Sequence, residues 1–96
     1  MDEKDYALHE AARVGDIARV RDLLEKGTNP NTKDSLGFTP LHNAALNGHK
    51  DVVELLMQKG AKPDAKARDG ATPHSSAMTN GHKDVAELLK AKGAAR

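Results

Sequence analysis

Ninety-six residues allow one domain or one short array, and 38% hydrophobic with 30% charged content excludes the disordered and membrane-spanning classes. Fifteen basic against fourteen acidic residues leave a net charge of +1, without the basic excess expected of a nucleic-acid binder. Cysteine is absent, so disulfides and thiolate metal sites do not enter. The opening residues lack a signal-type apolar core and no apolar run could span a bilayer, so a soluble, cytoplasmic protein is expected.

After a charged lead-in, Met1 to Lys4, the pattern predicts a helix capped by Asp5, with Leu8, Ala11 and Ala12 on its inner stripe and Gly15 at its end. A second helix spans about Ile17 to Lys26. Thr28 to Phe38, rich in Pro, Asn, Asp, Lys and Gly, predicts a loop. Thr39-Pro40 then reads as a helix start, because a hydroxyl accepts from an orphan N–H and proline's missing donor costs nothing in a first turn. That helix carries Leu41, Ala44 and Ala45 on one face and stops at Asn47-Gly48. The next runs from about Lys50 to Gly60 with Val52, Val53, Leu55, Leu56 and Met57 apolar. A second loop of the same composition spans Ala61 to Ala71, and Thr72-Pro73 opens a third helical pair. Each pair is too short to bury its own apolar faces.

The pairs are copies. Gly15, Gly48 and Gly81 stand 33 residues apart, as do Gly27, Gly60 and Gly93, and the same shift carries Asn47-Gly48-His49-Lys50-Asp51-Val52 onto Asn80-Gly81-His82-Lys83-Asp84-Val85. A fixed period without insertions marks a repeat array. Gly37-Phe-Thr-Pro-Leu-His-Asn-Ala-Ala45, Gly48-His49 and Val52-Val-Glu-Leu-Leu56 closely resemble the ankyrin repeat over essentially the whole chain. The resemblance implies an all-α solenoid of helix–turn–helix units joined by hairpin-like loops, with turns near Asp34-Ser35-Leu36-Gly37 and Arg68-Asp69-Gly70 where Gly37 and Gly70 supply a positive φ. It divides a single domain, 1–96, into repeats at about 5–33, 34–66 and 67–96.

Departures from the period are expected to mark the ends of the stack. Arg19 and Asp22 replace Val52 and Leu55 where a preceding repeat would pack, and Lys90 replaces Leu24 and Met57 where a following one would. His74 replaces Leu41, and Met78 replaces Ala45, where it is expected to fill space left by an absent neighbour. The polar run Lys90 to Arg96 completes that end, so the chain reads as a finished three-unit array.

The resemblance makes His42, in Thr39-Pro-Leu-His42, a structural tie from imidazole to threonine hydroxyl and neighbouring loop backbone, with His9 as its counterpart. His49 and His82 are expected to bond near the starts of their own helices. No second ligand at close spacing supports a metal, and no cofactor is expected. His74 with Ser75 or Ser76 and Asp69 invites a hydrolytic reading, but adjacent helical side chains diverge and a solenoid flank excludes no water, so an enzyme is not expected. The resemblance instead implies a partner protein held on the concave side. The positions are Arg13 and Val14; Lys33, Ser35, Leu36, Phe38, Asn43, Leu46 and Asn47; and Lys66, Arg68, Asp69, Ala71, Thr79 and Asn80. Leu36, Phe38 and Leu46, if exposed together, would form an apolar patch beside Arg68 and Lys33. Neither nucleic acid nor membrane is an expected partner, and the chain is expected to be a monomer. The alternatives are an engineered binder on this scaffold and a self-assembling protein.

Overall fold

Helix starts and stops in this chain are set by a few capping residues. The computed structural model describes residues 2–92, which form six helices and no strand. The first begins earlier than Asp5: the Asp2 carboxylate accepts from the Asp5 N–H at 2.8 Å, making Asp2 the cap and Asp5 the third helical residue. The expected lead-in is therefore helical from Glu3, because Glu3 and Asp5 suit the positive end of the helix dipole. Helix α1 (Glu3–Val14) pairs with α2 (Ile17–Glu25), which Asp16 caps through the Arg19 N–H.

The other two pairs are α3 (Pro40–Leu46) with α4 (Lys50–Gln58), and α5 (Pro73–Thr79) with α6 (Lys83–Ala91). Both short helices open with Thr-Pro and a reciprocal capping box. In α3 the Thr39 hydroxyl accepts from the His42 N–H while His42 Nδ1 accepts from the Thr39 N–H. In α5 Ser75 takes the histidine's place: its hydroxyl accepts from the Thr72 N–H at 2.9 Å.

The hydrophobic core contains Leu, Val and Ala and no aromatic residue. Leu8, Leu41, Leu56, Val52, Val53, Val85 and Leu89 are fully enclosed, each a gain of roughly 1.5–3 kcal/mol over exposure. Ala11, Ala12, Ala44, Ala45 and Ala77 let the inner helices α1, α3 and α5 lie close together. The outer helices α2, α4 and α6 touch one another far less, so the stack curves around its inner-helix side.

The flanks follow the charge pattern. Arg19, Asp22 and Lys90 are exposed, whereas Val52 and Val85 are enclosed and Leu24 and Met57 half-buried against the core. Met78 does not fill a gap: it stays 51% exposed along a shallow groove with His74, Ala86 and Lys90, with nothing among the described residues packed over it. Met1, Gly93 and the last residues to Arg96, expected as lead-in and polar terminus, lie outside the described residues.

One hydroxyl is misplaced. Thr28 Oγ1 is buried without a hydrogen-bond partner among the described residues, where the next repeat has the buried Ala61. An unpaired buried polar atom costs on the order of 1 kcal/mol or more. Thr28→Ala is expected to raise stability by about 1 kcal/mol in urea unfolding, and a loss would mean that the hydroxyl has a partner.

Candidate protein-binding face

The two loops between helical pairs are built by aspartate. Asp34 Oδ1 accepts from the Leu36 and Phe38 N–H groups at 2.9 and 3.0 Å, and the Asp34 N–H closes the turn onto the Phe38 carbonyl. In the next loop Asp69 Oδ1 accepts from the Ala71 N–H, and the Ala67 N–H bonds the Ala71 carbonyl. The tips then join: the Arg68 N–H donates to the Leu36 carbonyl at 2.9 Å. Gly37 has φ 85°, and a Cβ there would stand 3.0 Å from the Arg68 nitrogen, so both conformation and clearance demand glycine.

Imidazoles tie each loop to the helix behind it. His42 Nδ1 accepts a backbone N–H, so the ring proton is on Nε2, which donates to the Ala71 carbonyl of the next loop at 2.8 Å. This is the tie from threonine and loop backbone that the motif implies. His9 Nε2 meets the Phe38 carbonyl at 3.0 Å, one repeat earlier. His49 and His82 behave differently from expectation. Neither bonds the start of its own helix; His49 Nε2 donates back to the Arg13 carbonyl at 2.9 Å, an acceptor left free at the end of α1. Its ring lies flat against Gly15, and the His82 ring against Gly48, where any Cβ would collide.

Burial holds the His42 pKa below its ordinary value. The Ala71 carbonyl opposes this, Lys33 adds to the lowering, and Asp34 and Asp69 pull the other way. A group with a depressed folded pKa contributes stability above its unfolded value, about 6.5, and loses it as pH falls through the folded value. His42→Gln is expected to cost about 2 kcal/mol at neutral pH by leaving buried partners unpaired. It is also expected to flatten the stability loss of the parent chain below about pH 6.5, read as the urea midpoint against pH. An unchanged acid limb in the variant would assign that loss elsewhere.

The expected binding residues fall into two bands. Lys33, Ser35, Leu36, Lys66, Arg68 and Asp69 are exposed at the loop tips, where Lys33 Nζ also reaches the Lys66 carbonyl at 3.5 Å. Arg13, Val14, Leu46, Asn47, Thr79 and Asn80 are exposed at the far ends of the inner helices, linked where Asn80 Nδ2 donates to the Leu46 carbonyl at 2.7 Å. Asn43 and Ala71 are half-buried between them, and Arg13 is paired with Glu10.

Leu36, Phe38 and Leu46 do not make one patch. The seven residues of α3 separate the loop base from Leu46 by about 10 Å, from the helical rise of 1.5 Å per residue. Phe38 is half-buried, its ring edge-on to His42 at 5.4 Å between centroids, because its backbone closes the first loop. Leu36 (57% exposed) stands at the tips and Leu46 in the other band with Val14. One exposed aromatic was overlooked: Tyr6, at 61%, occupies the place of Thr39, a substitution visible in the period itself.

In the His74 cluster two of the polar groups are already engaged elsewhere. The Ser75 hydroxyl is engaged with the Thr72 N–H and carbonyl, and the Asp69 carboxylate with its own turn.

No helix among the described residues is long and apolar enough to cross a membrane. No curated protein matches the chain. A family model described as "Ankyrin repeats (3 copies)" matches residues 8–95. Three stacked helical pairs, with loops joined tip to tip and laced by histidine, agree with that match, and the chain belongs to the ankyrin repeat family.

Proposed function

We propose that this chain binds a partner protein through the concave strip of loop tips and inner-helix ends, without catalysing a reaction. The observation that carries the reading is the placement of exposed apolar side chains. Of the five large hydrophobic residues that face solvent among the described residues, Val14, Leu36 and Leu46 belong to this strip. Covering these side chains with a partner would remove apolar surface from water, at roughly 25 cal/mol per Å².

The backbone beneath them is already fixed by inter-repeat hydrogen bonds, so little ordering entropy opposes binding. The exposed charges Arg19, Asp22 and Lys90 on the two flanks support a chain that works as a single copy, since stacking a second copy there would desolvate them.

Binders drawn from a displayed random-peptide library against the immobilised chain test the reading. Leu46→Asp is expected to weaken them about tenfold or more, equivalent to about 1.4 kcal/mol, with the thermal midpoint nearly unchanged. Lys50→Glu and Lys83→Glu on the outer helices are expected to leave binding intact. Binders sensitive to the outer-helix changes and indifferent to Leu46 would overturn the reading.

A further inference from the structure

The two bands of the concave strip differ in charge. At the inner-helix ends the exposed groups are apolar or uncharged, apart from Arg13, whose guanidinium is paired with Glu10. At the loop tips three cations, Lys33, Lys66 and Arg68, are exposed. The Lys33 ammonium sits 3.5 Å from the Lys66 carbonyl, and the Arg68 backbone bonds that of Leu36, so the two loops that carry these residues meet beside Leu36.

None of the three forms a salt bridge among the described residues. The nearby carboxylates of Asp34 and Asp69 keep their negative charge, but they accept from backbone N–H groups of their own turns, so none of the three cations is tied to a carboxylate among the described residues.

We propose that the loop tips hold an acidic peptide segment of the partner, with carboxylates at Lys33, Lys66 and Arg68 and an apolar side chain against Leu36. This rests on the concave reading above and adds the chemistry of its occupant. Arg68 offers a forked donor to a carboxylate, and the two lysines supply point charges on either side. Leu36 separates a peptide from a nucleic acid: a phosphate backbone would use the cations and leave the exposed leucine without a partner. Because the cations are exposed, their contribution falls with salt while that of Leu36 does not.

Fluorescence anisotropy tests this with four probes of about ten units each, a length able to cross both loop tips as extended chain. They are a labelled peptide of Glu and Asp around one central Leu, its Leu→Ser form, a Lys counterpart, and an oligothymidylate. The acidic Leu peptide is expected to bind best, and to weaken severalfold when its Leu is lost or when Leu36→Ser is made in the protein. The combined change Lys33→Gln, Lys66→Gln and Arg68→Gln is expected to weaken it about tenfold or more. The matched change Lys50→Gln, Lys59→Gln and Lys83→Gln removes the same charge from the outer helices and is expected to alter little, with circular dichroism confirming that both variants fold.

Equal binding of oligothymidylate, equal loss in the outer-helix variant, or no binding of the acidic peptide would overturn the proposal. Library binders lost with Leu46→Asp but indifferent to the tip variant would overturn it while leaving the concave reading in place. Binders indifferent to both would overturn the two together.

Discussion

No helical pair in this chain can enclose its own apolar side chains, and everything else in the structure answers that constraint. Two short helices present Leu, Val and Ala both to each other and to the neighbouring pair, so one core runs continuously through all three repeats. Leu41 and Ala45 of the middle pair are fully enclosed, while the third pair has His74 and Met78 at the matching positions and leaves Met78 half in solvent. Stability in such a stack is a sum over neighbour interfaces.

Histidine secures those interfaces in both directions. His9 and His42 reach forward to a loop carbonyl of the next repeat, and His49 reaches back to the end of the preceding inner helix. Each engages backbone, so the ties hold the frame and leave the outward side chains free to vary. The third repeat breaks the forward series with Ser75, whose hydroxyl completes the local capping box but reaches no further. A frame tied at its carbonyls gives the loop tips a fixed spacing, which is what a preorganised binding surface requires.

Much of the fold was legible because it is periodic. The glycines 33 residues apart, the Thr-Pro starts and the charged replacements at Arg19, Asp22 and Lys90 each have a local physical reason, and a repeat lets each be read against its copies. The first helix start was misread because Asp2 and Asp5 are both competent caps, and only the backbone geometry separates them. The direction of His49 was hidden because its acceptor lies in another repeat. The candidate face was legible as a set of positions but not as two bands: sequence spacing says which residues share a side, and not that α3 stands between Leu36 and Leu46. Nor could it show that Phe38, apolar and beside the tip, is committed to the loop and to the edge of His42.

Neighbour dependence is tested most directly by native-state hydrogen exchange across all six helices. The middle pair, walled on both sides, is predicted to hold the slowest amides, those of the enclosed parts of α3 and α4, with protection falling toward α2 on one side and α6 on the other. If the amides of α1 and α2, or of α5 and α6, outlast those of α3 and α4, an end pair holds itself together, and the stack is not what folds this chain.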